Sequence, residues 1–148
     1  MVHGTSKDLF RVARGYHGAT AAGVANIEVY KKENLIEKSR VDGKYMGQKL
    51  IELREKHASV GDVRWKGLWA CIELVENKKT KAPLAGYCDV KRNVSAELSK
   101  RLIQQGVTLF AKWDFIFISP PLIITRPQID EAIAAIDQAL EYTDGLAK

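Results

Sequence analysis

Three histidines are the side chains best suited to acid–base chemistry or metal binding, because imidazole gains and loses a proton close to neutral pH. They are His3, His17 and His57. None of them lies at a recognisable spacing from a second metal ligand or from a carboxylate partner. The sequence therefore predicts exposed or locally hydrogen-bonded histidines, and it assigns no catalytic residue and no metal ligand.

Cysteine, serine and phosphate-binding chemistry is equally poorly supported. Cys71 and Cys88 are too few for a disulfide framework and have no metal-site spacing. Cys71 lies in an apolar run, which predicts a small buried core residue. The segment "GATAAG" lacks the preceding strand, the lysine and the Ser/Thr of a P-loop, and no Gly-x-Ser-x-Gly occurs. These residues alone indicate a soluble domain without an assigned reaction.

Composition limits the choice of partners. The 148 residues suit one domain, and the net charge of +5 comes from 23 Lys and Arg against 18 Asp and Glu. The charges are interspersed, and no basic block carries interleaved aromatic residues, which argues against a nucleic-acid partner. No apolar run reaches membrane-spanning length, and no signal peptide is evident. We expect a cytoplasmic protein with neither a membrane nor a nucleic-acid partner.

Helices and strands alternate in the pattern of a small mixed domain. Helices are predicted over residues 19–38, 42–57 (a second helix or a continuation of the first) and 94–105, and after Thr125. Strands are predicted over residues 63–75 (one strand, or two around Lys66-Gly67), 107–113 and 115–119, with a loop over 76–92. Gly106 suits a helix end, and Thr125 with Gln128 forms a capping box. This order predicts an α+β fold, with an antiparallel sheet of three or four strands covered by helices.

Three segments carry a family resemblance. They are "AAGVANIEVYKKENLIEKS", "VGDVRWKGLWACIELVENKKTKAPL" and "LFAKWDFIFISPPLIITRPQIDEAI", in that order. Together they resemble the C-terminal small domain of class III, fold-type-I aminotransferases, which use pyridoxal phosphate (PLP), and among these the taurine and ω-amino-acid transaminases most. The resemblance implies a small domain over residues 21–148 after an N-terminal segment, residues 1–20. It also implies transfer of an amino group from an ω-amino acid or taurine-like donor to a 2-oxo acid.

The stretch "YHGAT", which starts at Tyr16, has a counterpart in a different part of the family sequence. In the family, a loop of this type lies early in the large domain, and its aromatic residue stacks on the coenzyme ring. Here it runs directly into the first helix of the small domain. Two interpretations stay open: an internally deleted aminotransferase joined near Thr20-Ala21, or a chance likeness of five residues. The resemblance makes Tyr16 a candidate coenzyme-binding residue.

The main departure from the family concerns the lysine that binds the coenzyme covalently. A PLP transaminase needs a lysine for the Schiff base and an acid for the pyridine nitrogen. In the family both lie in the large domain, and no lysine here lies in that context. We therefore expect this chain alone to bind no PLP and to be inactive, and to act as a homo-oligomer or with a companion chain that carries the large domain. The alternative is a non-enzymatic module that recognises a small anionic ligand or a partner chain.

Two cations remain as candidate substrate-binding residues. Arg64 matches the arginine of the family's "VGDVR" segment, which lies near the active site, although pairing with Asp62 would make it a brace of the fold. Lys112 stands where relatives carry an arginine that pairs with a substrate carboxylate or sulfonate. Lysine keeps the charge but loses the planar fork, so we expect weaker anion binding. Trp65 stands where the family usually has glycine. A small domain that lacks its large domain should also expose an apolar face.

Overall fold

A computed structural model describes residues 17–86 and 92–148 of the chain. Tyr16, the candidate coenzyme-stacking residue, lies outside the described residues. Contacts divide the chain into two compact units, Met1–Ile36 and Glu37–Lys148. In its described part the first unit contains helix α1, His17–Lys32, and helix α2 spans Leu35–Lys56.

The break between the first two helices lies before the position where the sequence allowed one. The sequence left open whether residues 42–57 form a second helix or continue the first, and α2 runs through residues 38–42 without interruption, which confirms the continuation there. The break lies instead at Asn34, whose φ is 50°. Asparagine tolerates this left-handed conformation better than most residues, and a single such residue ends a helix.

The remaining elements form a sheet and two further helices. They are β1 (Val60–Lys66), β2 (Trp69–Asn77), β3 (Ala82–Pro83), α3 (Val94–Gln104), β4 (Phe110–Lys112), β5 (Phe115–Ile118) and α4 (Arg126–Asp144). All strand pairs are antiparallel in the order β1-β2-β5-β4, and β3 pairs with the end of β2. The predicted α+β fold with a small antiparallel sheet is confirmed, and the predicted loop contains one short additional strand.

One face of the sheet packs against the helices. Ala70, Ile72 and Leu74 on β2 and Ile116 on β5 are at most 1% exposed and point into the core. The helices supply the other side of the core: Met46, Leu50 and Leu53 from α2, Val94, Leu98 and Leu102 from α3, and Ile129, Ile136 and Leu140 from α4. The helices of the second unit therefore cover one face, and the strands turn their alternate residues to the opposite face.

Two glycines allow α2 to approach the hairpin of β1 and β2 closely. A Cβ added to Gly43 would lie 2.1 Å from the carbonyl oxygen of Gly67, and one added to Gly47 would lie 2.2 Å from Cε2 of Trp65. The indole of Trp65 therefore occupies the space above Gly47. Glycine is a poor helix former, yet these two glycines are the residues that let the helix meet the sheet.

Capping interactions fix the ends of α3 and α4. Gly106 has φ 77°, and the Gly106 and Val107 amides bond to the carbonyls of Ile103 and Leu102, which forms a Schellman motif. Because this motif uses the amide of Val107, β4 starts only at Phe110, later than predicted. At the start of α4 the Thr125 amide donates to Gln128 Oε1 at 2.9 Å, which confirms the capping box. None of the described helices is long and apolar enough to cross a membrane.

Candidate functional site

Two rows of side chains cross the face of the sheet that is turned away from α2, α3 and α4. Directly opposed residues in antiparallel pairs share a face. Read from β1 to β4, the rows are Arg64–Cys71–Phe117–Phe110 and Asp62–Glu73–Phe115–Lys112. We call these residues, with Trp69, the open face. Both predicted substrate-binding residues, Arg64 and Lys112, lie on it.

Aromatic side chains occupy the middle of the open face. The ring centroid of Phe117 lies 5.7 Å from that of Phe110, 6.1 Å from that of Phe115 and 6.3 Å from that of Trp69. Phe110 is 62% exposed and Trp69 52% exposed. An exposed aromatic patch of this kind is typical of a surface that another protein covers, in agreement with the apolar face expected from the sequence.

Arg64 is bound to carboxylates of its own sheet. Its Nη2 donates to Glu73 Oε2 at 2.7 Å, and its Nη1 lies 3.5 Å from Asp62 Oδ2. Partial burial opposes the charge of Arg64, but its hydrogen bond to Glu73 and the charges of both carboxylates raise its pKa above the usual value. The structure therefore contains the bracing pair with Asp62 that the sequence offered as an alternative, with Glu73 as the closer partner.

Lys112 lies at the opposite edge of the open face. Its Nζ lies 4.6 Å from the ring centroid of Trp113, a distance that permits a cation–π interaction, and its side chain is exposed. Lys112 lies on the edge strand β4, and Arg64 lies on the opposite edge strand β1. These two strands are three strand spacings apart, which is roughly 14 Å. The structure places the two cations on one face, but it does not bring them together around a single small anion.

A second polar site surrounds His57, which is 2% exposed. The ring lies between two carboxylates of α4, with Nδ1 2.7 Å from Asp144 Oδ2 and Nε2 2.8 Å from Asp137 Oδ1. The amide and hydroxyl of Ser59 donate to Asp144 Oδ1 at 2.9 and 2.8 Å. Lys56 Nζ contacts Asp137 at 2.6 Å. We call these five residues the histidine cluster.

Sequence reasoning missed the histidine cluster because its partners are far apart in the chain. His57 is separated from Asp137 by 80 residues and from Asp144 by 87. The one available signal was the spacing of the two aspartates, which places them two turns apart on one face of α4. That spacing predicts a shared neighbour but does not identify it.

The carboxylates of the histidine cluster link stability to acid pH. Burial favours the neutral acid, but hydrogen bonds from Lys56 and His57 hold the pKa of Asp137 below its usual 3.8. Burial likewise opposes ionisation of Asp144, but bonds from Ser59 and His57 keep its pKa below 3.8 as well. Carboxylates of lowered pKa stabilise the fold above their usual pKa, and this stabilisation is lost as pH falls through the folded-state pKa.

We therefore expect the free energy of unfolding to fall as pH is lowered from about 5 to 2, the range in which both aspartates take up protons. Urea unfolding at a series of pH values measures this slope. In Asp144→Asn the slope should be smaller than in the parent chain, whereas Glu52→Gln, the same change at an exposed carboxylate of α2, should leave it unchanged. Equal slopes in all three proteins would contradict the prediction.

Comparison with known proteins gives matches over most of the chain. Residues 14–140 match the family model described as aminotransferase class-III. The chain is 37% identical over 134 residues to taurine–pyruvate aminotransferase of Bilophila wadsworthia (strain 3_1_6), covering 88% of this chain and 29% of that protein. It is 34% identical over 121 residues to isoleucine 2-epimerase of Lentilactobacillus buchneri, covering 81% and 25%.

Solved structures give the same result. Taurine:2-oxoglutarate aminotransferase from Bifidobacterium kashiwanohense, in complex with PLP and glutamate, superposes with a TM-score of 0.78 at 30% identity. That match covers 84% of this chain and 28% of the other. The chain thus spans between a quarter and three tenths of the length of these relatives.

Proposed function

Because the chain belongs to the class-III aminotransferase family, we propose that it serves as the small domain of a PLP-dependent transaminase. In this proposal the enzyme moves an amino group from an ω-amino acid or taurine-like donor to a 2-oxo acid in the cytoplasm. The observation that carries the proposal is the family match over residues 14–140, together with the fold shared with a taurine aminotransferase.

We propose that the groups that anchor the coenzyme lie outside the described residues of this chain. PLP requires a lysine amine, an acid at its ring nitrogen and donors for its phosphate. On the open face, the carboxylates of Glu73 and Asp62 are bound to Arg64, and the one lysine of the two rows, Lys112, lies over an aromatic ring. We therefore assign the coenzyme's anchor to the large domain, supplied by a companion chain or within an oligomer. Tyr16 stays a candidate for stacking on the coenzyme ring.

The open face fits the role of the contact surface for that large domain. Its aromatic centre supplies apolar area whose burial is favourable, and its rim carries the charges of Arg64, Glu73 and Lys112. An apolar centre with a charged rim is the usual composition of a protein interface. This arrangement would place both candidate substrate residues at the edges of the contact.

Lys112 and Arg64 contribute unequally to substrate recognition in this proposal. The charge of Arg64 is offset by Glu73 and Asp62, so its role is mainly to hold the rim of the face. Lys112 holds its charge against an aromatic ring, and it can attract the acidic group of a donor such as a sulfonate or carboxylate. The cation at Lys112 orients the substrate and takes no part in bond breaking.

Exchange of the domain tests the proposed function. The region of the Bilophila taurine–pyruvate aminotransferase that matches this chain is replaced by residues 21–148. We expect the purified chimera to hold PLP and to form alanine from pyruvate only when taurine is supplied. A folded, PLP-loaded chimera that transfers no amino group, or that only epimerises an amino acid as one relative's name suggests, would contradict the proposal.

In the chimera, Lys112→Ala is expected to raise KM for the anionic donor roughly fivefold, the equivalent of about 1 kcal/mol for an exposed ion pair. Lys112→Arg should lower KM, because the guanidinium binds the acid group through two bonds. Steady-state kinetics with varied taurine measure both effects. Lys79→Ala, at an exposed turn, is the matched control and should leave KM unchanged. Equal KM values in all variants would remove Lys112 from the substrate site.

A further inference from the structure

The histidine cluster has a hydrogen-bonding pattern that constrains its protons. Both ring nitrogens of His57 lie within hydrogen-bond distance of carboxylate oxygens, at 2.7 and 2.8 Å. An ionised carboxylate accepts hydrogen bonds and cannot donate one. A neutral imidazole has one N–H and one lone pair, so it could satisfy only one of the two aspartates, whereas a ring with two protons satisfies both.

The other charges at the site agree with a cationic ring. The charged groups that hydrogen-bond into the cluster from the described elements are Lys56 on α2 and the aspartates Asp137 and Asp144 on α4. From β1 the contact is the uncharged Ser59, whose hydroxyl lies 2.7 Å from that of Thr143. With a protonated His57 the cluster holds two positive and two negative charges. With a neutral ring it would hold one cation against two carboxylates.

The contacts of the cluster join three elements at one corner of the domain. His57 follows the last residue of α2, and Ser59 directly precedes β1. Both are bonded to Asp144, the last residue of α4, while Asp137 lies two turns earlier and takes the opposite side of the ring. The ring therefore ties the link between the long helix and the sheet to the end of the final helix.

We propose that the folded domain holds His57 as a doubly protonated ring, a latch that joins the end of α2 to α4 through hydrogen bonds to Asp137 and Asp144. Loss of either proton leaves a nitrogen lone pair facing a carboxylate oxygen across less than 3 Å. The lone pair and the carboxylate oxygen are both hydrogen-bond acceptors and repel each other at that distance, so a ring with one proton keeps only one of the two aspartates and ties the α2–β1 link to α4 less firmly. This latch is independent of the proposed transaminase activity.

Nuclear magnetic resonance of the full chain tests the latch directly. Long-range proton–nitrogen spectra of the folded protein report whether each ring nitrogen of His57 carries a proton. We expect the folded chain to show both nitrogens protonated, with each N–H proton protected from rapid exchange with water by its carboxylate. A ring with a single protonated nitrogen would overturn the proposal.

Matched substitutions separate a latch from a merely structural contact. In Asp137→Asn the carboxylate facing Nε2 is removed, so the N–H signal at Nε2 should be lost or should exchange with water faster than in the parent chain. Asp130→Asn makes the same change elsewhere on α4, where the carboxylate contacts Tyr45, and should leave both ring signals in place. An unchanged Nε2 signal in Asp137→Asn would also overturn the proposal.

Discussion

Replacing Gly43 by alanine is expected to lower the free energy of unfolding by about 3 kcal/mol, the upper part of the usual range for overpacking. The added Cβ would lie 2.1 Å from the carbonyl oxygen and 2.7 Å from Cα of Gly67. Both partners are backbone atoms, so no side chain can rotate away. Either α2 or the turn between β1 and β2 must shift. Urea unfolding followed by circular dichroism measures the change.

Gly23→Ala is the matched control for Gly43→Ala. Gly23 also lies inside a helix, but nothing lies within 4 Å of its added Cβ. Alanine is the better helix former by about 1 kcal/mol, so Gly23→Ala should be neutral or slightly stabilising. If the two variants were equally stable, the close approach of α2 to the hairpin would be disproved.

Leu102→Ala is expected to lower the free energy of unfolding by about 3 kcal/mol, since Leu→Ala changes in cores cost 2 to 5 kcal/mol. Leu102 lies on α3, is 1% exposed and belongs to the core that covers the sheet. Truncation removes its buried methyl groups and leaves a cavity. Chemical denaturation of the purified chain at neutral pH measures the loss.

The next residue along α3 provides the control. Ile103 is 60% exposed, so Ile103→Ala removes little buried apolar area, and alanine is the better helix former. We expect a change of less than about 0.5 kcal/mol. A large loss in Ile103→Ala, or a small one in Leu102→Ala, would mean that α3 turns a different face to the sheet.

Local signals in the sequence were sufficient for the elements that depend on neighbouring residues. The capping box of Thr125 and Gln128 and the helix-ending Gly106 act within one helical turn, and the structure contains both. The buried position of Cys71 followed from its apolar run and is also confirmed. The break at Asn34 was missed because the apolar spacing continues across it, while the backbone conformation of one residue decides it.

Long-range contacts account for what the sequence did not reveal. Nothing near Gly43 indicates that Gly67 will lie against it, and nothing near His57 indicates two aspartates more than 75 residues away. Arg64 and Lys112 were predicted as substrate-side cations from family resemblance, without any estimate of their separation. The strand order, which no local pattern specifies, places them on opposite edges of one face.

Incubation of the purified protein with PLP tests most directly whether this chain anchors the coenzyme itself. The absorbance is recorded, and the sample is then reduced with borohydride before peptide mapping. We predict no absorbance band of lysine-bound coenzyme at stoichiometric PLP and no single lysine modified. The PLP-loaded Bilophila aminotransferase is the positive control for the band. A stoichiometric band that reduction fixes to one lysine of this chain would contradict the assignment of the coenzyme's anchor to a separate large domain.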